Sequence, residues 1–371
     1  MNPIALIATK KGLFQLLDDL TVQPLGFMGI PVTMVLASKN RKQWYAALNH
    51  GHFGVKFHRS SDMGVTWEEM SAPQYPQNKS PQKEQPQTDS PQDEKGASLK
   101  LIWSLEFAED NNDKKLWAGT VPGGLFYSDD SGKSWQLNES LWQYKLEQEW
   151  FGGGFDEAGI HSICVHPDDA SHINIGVSCA GIWQTTDNGD TWQNKSKGMR
   201  AEYMPPEQQF DPTIQDPHLL VQCPTSPDSF WVQHHNGIFK SIDGADSWSE
   251  IDTANPSNFG FSVAVHPKDP NTAWFVPAIK DDCRIPVDGK FVLMKTTDGG
   301  QSFTTHKKGL PSTISYDLVY RHGLDVDDSG DRLLMGSTTG NLWLSVNQGD
   351  SWRCLSHHLP PIFAVRFVKQ F

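Results

Sequence analysis

The sequence predicts an all-β protein, a seven-bladed β-propeller whose ring is closed by pairing of its N- and C-terminal strands. Three observations predict it. A turn phrase of the form S/T-x-D-x-G-x-S/T-W returns six times along the 371 residues, a common strand opening precedes it, and the two ends of the chain carry the missing parts of one more unit. Self-similarity at a period of about 50 residues marks a stacked or radial repeat, because one unit cannot bury its own apolar face.

The turn phrase runs Ser60 to Trp67, Ser128 to Trp135, Thr185 to Trp192, Ser241 to Trp248, Thr296 to Phe303 and Ser345 to Trp352. Its acidic position falls at Asp62, Asp130, Asp187, Asp243 and Asp298, with Asn347 in the sixth copy. A short acidic side chain accepts backbone N–H groups inside a tight turn, and glycine takes the positive φ that other residues resist. The Trp is expected to pack back over the turn. Ala245 replaces the glycine in the fourth copy. Before the turns stand Gly124-Leu-Phe126, Gly181-Ile-Trp183, Gly237-Ile-Phe239 and Asn341-Leu-Trp343, and Gly12-Leu-Phe14 repeats the opening at the N-terminus without a good turn after it. Further upstream lie aligned strands starting at His161, His218, Phe261 and His322. Four short strands in roughly 50 residues make a propeller blade. The seventh blade combines Ile4 to Phe27 with Phe363 to Lys369, which removes the exposed edge of an open array. The whole chain, 1–371, then reads as one propeller domain, with 73–98, rich in Pro, Gln, Lys and Ser, as a mobile insertion.

The six turn phrases resemble the Asp-box, or bacterial neuraminidase (BNR) repeat. The resemblance covers nearly the whole chain and implies that the boxes serve the fold, with ligands bound on the opposite face. Met204-Pro-Pro-Glu207, Asp216-Pro-His218, His234-His-Asn-Gly-Ile-Phe239 and Pro256-Ser-Asn-Phe-Gly-Phe261 resemble bacterial single-propeller proteins described as sialidase-like or glycosyl-hydrolase-like. Sialidases bind their substrate carboxylate with three arginines and use a Tyr–Glu nucleophile pair. Here Arg284-Ile285-Pro286 follows four boxes instead of preceding the first, and no third arginine or Tyr–Glu pair is found. The expectation is a glycosidase-like protein, not a true sialidase. Asp-box propellers that serve as protein-binding or assembly modules supply the alternative.

Composition narrows the partners. Lys and Arg number 31 against 44 Asp and Glu, a net charge of −13. An acidic surface repels phosphate backbones and anionic lipid, so neither nucleic acid nor membrane is expected as the main partner. No apolar run reaches the roughly 18 residues of a membrane span. The N-terminus does not read as a signal peptide, and five scattered cysteines form no disulfide framework or CxxC zinc site, so a cytoplasmic location is expected.

Candidate site residues come from aligning the blades. The start of the innermost strand gives Thr33, Trp103, His161, His218, Phe261, His322 and Phe363 around one channel mouth. Just upstream lie Asp156, Glu157, Asp216 and Arg321, and the loops between second and third strands add Lys10, Lys11, His50, His52, His234, His235, Asp281, Asp282 and Arg284. Glu157 and Asp216, with His161 and His218, are the candidates for general acid/base work. Arg284 and Arg321 are candidate clamps for an anion or hydroxyl, Trp103 a stacking surface for a sugar, and His234, His235 and His322 further ligand contacts. The same histidines leave two other readings open, a divalent metal held by His161 and His218 with a neighbour, or a hydrogen-bonded polar plug. His166 and His266 fall at the opposite end of their strands and read as structural. The implied ligand is a carbohydrate or other small polar molecule at the channel mouth.

Overall fold

A computed structural model describes residues 1–39, 42–76, 97–108, 114–148, 150–153 and 155–368. Seven four-stranded antiparallel sheets stand in a ring. The innermost strands are Ile362–Phe367 in blade one, then Val32–Ala37, Leu101–Phe107, Ile160–His166, Pro217–Cys223, Gly260–His266 and Leu324–Val326 in blades two to seven. Each touches its two neighbours around the channel, and the last returns to the first. Closure occurs in blade one, where Ile362–Phe367 pairs antiparallel with Pro3–Thr9, Leu6 opposite Arg366 and Ala8 opposite Ala364.

The core lies between blades. The second and third strands bury Trp44, Trp117, Trp183, Trp231, Trp274 and Trp343 almost completely, each against the facing blade. At the outer edge the repeated turn joins third to fourth strand. In its first copy the Ser60 hydroxyl donates to Asp62 Oδ1 (2.7 Å) and accepts from the Gly64 N–H (2.8 Å). Asp62 in turn accepts the Thr66 N–H at 2.9 Å and the Thr66 hydroxyl at 2.6 Å. The same bonds recur about Asp130, Asp187, Asp243 and Asp298. Asn347 preserves the lattice by reversing one donor, its Nδ2 donating to the Ser351 hydroxyl at 3.0 Å. Ala245 adopts φ +72° where the other copies have glycine.

The turn Trp does more than cover its own turn. The indole N–H of Trp135 donates to Ser71 O, that of Trp192 to Asn138 Oδ1, and that of Trp248 to Lys195 O, in each case reaching the preceding blade. Asn138 also caps a helix that sequence analysis did not anticipate, Glu139–Glu147, by accepting the Leu141 N–H at 3.0 Å. Its amide donates to Gly189 O, inside the turn of blade four.

Of the expected insertion 73–98, residues 77–96 lie outside the described residues. Its first residues are anchored rather than free. Tyr75 is buried, and its hydroxyl meets Thr120 Oγ1 and Pro122 O at 2.6 Å.

Two predictions follow from the ring and its turns. A chain ending at Pro360 loses Ile362, Ala364, Val365 and Val368, all buried. At about 1.5–3 kcal/mol per large apolar side chain, the loss is comparable with a domain's whole net stability of about 5–15 kcal/mol. The truncated chain is expected to be insoluble or to melt far below the full chain in calorimetry; an unchanged Tm would refute closure.

The second concerns acid. Bonds from the Thr66, Thr191 and Ser302 hydroxyls and backbone pull the carboxyls of Asp62, Asp187 and Asp298 from the ordinary 3.8 down to about 2. A depressed folded pKa contributes stability that is complete above the unfolded value and is lost as pH falls toward 2. The triple variant with Asp62, Asp187 and Asp298 changed to Asn is expected to melt below wild type at pH 6. The gap should close between pH 4 and pH 2; a gap constant across that window would show that the carboxylate charge is irrelevant.

Candidate functional site

The residues at the mouth share one backbone device. In five blades one residue near the start of the innermost strand, the second in four of them and the third in blade three, has no register partner. Val32 pairs with Leu48 and Met34 with Ala47, leaving Thr33 over; Trp103, His161, His218 and Phe363 are skipped in the same way. Blade six carries the same irregularity across Phe261 and Ser262. A β-bulge bends the strand and re-aims the extra side chain. Thr33, Trp103 and Phe363 therefore reach the mouth cavity by bulging, not by the simple alternation of a regular strand, whereas His161 lines the channel and His218 is buried beside it without lining the mouth cavity. In blade seven a 3-10 turn, Arg321–Gly323, takes the bulge's place.

A cavity of about 790 Å³ opens at this mouth. Its basic lining is Lys10, Lys100, Arg284 and Arg321 with His50 and His322, and its ring-bearing lining is Trp103, Phe155, Tyr320 and Phe363. No carboxylate lines it among the described residues. Arg321 lies at its base, 8% exposed, with its guanidinium 4.6 Å from the centre of the Trp103 ring and 5.6 Å from that of Phe261. Its Nε is buried without a hydrogen-bond partner, and among the described residues no ion pair reaches the guanidinium. Burial lowers its pKa to about 10, opposed by the field of Asp216, so it remains charged at neutral pH. Arg284 also lies over the Phe261 ring, at 5.1 Å, and is held by Asp281 at 2.5 Å.

The histidines divide into different roles. His322 reaches across the channel and donates from Nε2 to His161 O at 2.8 Å; burial pushes its pKa to about 3. The Ser162 hydroxyl accepts the Leu220 N–H and meets His161 Nδ1 at 2.8 Å. His161 Nε2 is buried without a partner. Burial first, then Arg321, hold His161 well below the ordinary imidazole range. His234 is buried and takes the Asp216 N–H on Nε2 at 3.0 Å, so it fixes the backbone of Asp216. His218 donates from Nδ1 to Gly260 O at 2.6 Å and stacks on Phe261 with centroids 4.5 Å apart.

One group of metal-capable atoms forms, and it differs from the expected pair. Asp216 Oδ2 lies 3.7 Å from His218 Nε2 and 3.5 Å from His235 Nδ1. His161 is not in this group; its ring turns toward Ser162 and meets Trp103 edge-on at 5.5 Å. No ring contact joins His161 to His218 among the described residues. Burial works against the Asp216 carboxylate, but the positive surroundings, Arg321 among them, hold it well below the usual carboxylate range. Glu157, expected beside it, pairs with Lys100 at 2.8 Å and does not line the cavity. His166 and His266 sit at the far ends of their strands, accepting the N–H groups of Asp168 and Lys268 in tight turns.

Sequence alignment of the blades missed several participants. Tyr203, edge-on to His235 with centroids 5.1 Å apart, comes from the long connection into blade five. Cys179 donates its N–H to Asp216 Oδ1 at 3.2 Å. Phe155 packs edge-on against Trp103 at 5.0 Å. Below the mouth, Glu106 and Arg366 pair across the channel at 2.6 Å, and burial raises Asp325 beside them to about 6. These residues occupy irregular connections or channel positions that the aligned columns do not mark.

No protein-family model matches the chain, and no curated protein matches it. Solved structures do. An ancestral GH74 enzyme superposes with a TM-score of 0.57 at 15% identity over 91% of this chain. The chain spans 38% of that enzyme's length. A YCF48 protein from Cyanidioschyzon merolae gives 0.54 at 11% identity, covering 89% of this chain and 87% of that one. A YCF48 bound to D1 peptide gives 0.53 at 12%, covering 95% and 84%. At these identities the likeness is one of fold. No helix among the described residues is long and apolar enough to cross a membrane.

Proposed function

We propose that the protein binds a small polar ligand bearing an anionic group, of the class of a sugar acid or sugar phosphate, in the mouth cavity. The observation that carries this reading is Arg321, a buried guanidinium between two aromatic rings with no carboxylate partner. A buried cation left unpaired is costly, and an anion from solution supplies the missing hydrogen bonds and charge. Lys10 adds to the field, Lys100 and Arg284 less so because Glu157 and Asp281 pair with them, and Trp103, Phe155 and Phe363 offer faces for a sugar ring. Hydrolysis by two carboxyl groups needs them about 5–10 Å apart across the scissile bond. Among the described residues the lining offers no such pair, so of acting on a sugar and binding one, the cavity favours binding.

Exposed Phe53 and Phe155, 75% and 43% accessible at the cavity side of the ring, support a second reading as a protein-binding module. A peptide ligand and a small anion are separable by size of the competing ligand.

The test is calorimetric titration of gluconate, glucuronate and a sugar phosphate against neutral glucose. Acidic ligands are expected to bind and glucose not. Arg321→Met is expected to weaken acidic-ligand binding about 10- to 100-fold, the value of one charge-assisted bond pair. The same variant should be more stable by about 1–4 kcal/mol in unliganded protein, since it removes an uncompensated buried charge. Equal binding of glucose, or undiminished acid binding by Arg321→Met, would overturn the proposal.

A further inference from the structure

We propose that Asp216, His218 and His235 form a binding site for a divalent transition-metal ion at the edge of the channel mouth. The site stands on its own geometry and does not depend on the anion reading above. Its ligands come from a single hairpin. Pro217 pairs with His234, and the bulge between Pro217 and Leu219 frees His218 to turn inward. That register sets His218 on one strand, with Asp216 just before its start, beside His235 just past the end of the other.

Three points favour an ion over a hydrogen-bond network. First, the atoms are too far apart to bond one another. Asp216 Oδ2 is 3.7 Å from His218 Nε2 and 3.5 Å from His235 Nδ1, and all three lie within 4.8 Å. Contacts of that length are not hydrogen bonds. They stand at or a few tenths of an ångström beyond the edge of a coordination polyhedron, about 3.0–3.5 Å when each ligand is about 2.1 Å from the metal, so a small side-chain adjustment closes them on an ion. Second, His218 is prepared as a ligand. Its Nδ1–H is committed to Gly260 O at 2.6 Å, so the Nε2 lone pair faces the carboxylate. A second-shell carbonyl on the other nitrogen fixes the tautomer in metal-ligating histidines, and the Phe261 stack fixes the ring plane. Third, Asp216 is split between two tasks. Oδ1 accepts the Cys179 N–H, which leaves Oδ2 for the site. The carboxylate is 6% exposed, and a buried lone-pair cluster of this kind is stabilised by a cation.

Two imidazoles and one carboxylate leave coordination positions open, a donor set suited to zinc, manganese or ferrous iron. Above Oδ2 passes Gly153. A methyl group there would meet Oδ2 at 3.5 Å and Cys179 Sγ at 2.7 Å, so only a residue without a side chain fits over the site.

The experiment uses the full chain, purified without a histidine tag and stripped with a chelator, titrated with Zn²⁺ or Mn²⁺ at pH 7.5 by calorimetry. One ion per chain is expected. His235→Ala is the leading variant, because His235 is only partly buried and its loss leaves the fold intact. It should weaken binding at least about tenfold. Asp216→Asn, which keeps the side-chain shape, should do the same. His172→Gln serves as the control: His172 stacks on His166 at 5.2 Å near the opposite face and offers an adventitious imidazole pair. It should leave the stoichiometry at one. Binding should weaken from pH 7.5 to pH 5.5 as protons compete for the imidazoles. Dissociation constants weaker than about 0.1 mM for both ions, undiminished binding by His235→Ala, or loss of binding in His172→Gln would each overturn the assignment.

Discussion

The repeated turn is the interaction on which the rest depends. Its carboxylate draws two donors from a hydroxyl residue four positions on, and its leading hydroxyl bridges the carboxylate and the glycine N–H. This rigid loop ties the third strand to the fourth and delivers an indole to the preceding blade. One local motif thus closes a hairpin and cements a blade boundary. Asn347 shows how much of this is hydrogen bonding as distinct from charge, because an amide keeps the geometry by exchanging an acceptor for a donor. The motif also assigns the two ends of the ring: with one end given over to these turns, the opposite end is free to vary.

At that opposite end the bulges take over. A regular innermost strand would point alternate side chains into the channel and into the blade boundary. Slipping one residue at each strand start frees a side chain from that alternation, and successive blades present threonine, tryptophan, histidine, histidine and phenylalanine there. The register recovers within one or two residues, so the apolar side chains below the bulge still bury between blades. The scaffold and the mouth are thereby decoupled: the mouth residues can differ without disturbing the packing that holds the ring.

Much of the fold was legible in the sequence because it is written in a repeat. Turn, strand opening and terminal fragments all translate into backbone geometry, and the pairing of Pro3–Thr9 with Ile362–Phe367 follows from counting strands. Position along the strand was legible at the mouth for the same reason. Side-chain partners were not. A histidine column does not reveal that Ser162 takes one ring, His161 O another and the backbone of Asp216 a third. Nor does blade alignment carry hairpin register, which is what brings His235 to Asp216 while His161 stays apart. Glu157 illustrates the limit most directly. It lies in an irregular connection where Lys100, not strand geometry, decides where its carboxylate goes. The signal that could have found the Asp216 group was the spacing Asp216-x-His218 facing His234-His235 across a short hairpin.

The electrostatics of the mouth argue that these residues are not simply filler. A chain of net charge −13 has carboxylates to spare, yet among the described residues the cavity collects two arginines and two lysines without one lining carboxylate. A core selected for stability alone would pair Arg321 or replace it, since an apolar side chain between Trp103 and Phe261 would pack without desolvating a charge. Behind Arg321, the nearest strong negative charge is Asp216, whose field helps keep the guanidinium protonated while the guanidinium helps keep the carboxylate ionised. They are not in contact, so each retains unfilled valence toward its own side: the guanidinium toward the cavity, the carboxylate toward His218 and His235. A buried pair in direct contact would have neutralised both. Holding them apart, with Trp103 and Phe261 fixing the guanidinium and Cys179 fixing the carboxylate, is what keeps two separate charges near one channel mouth.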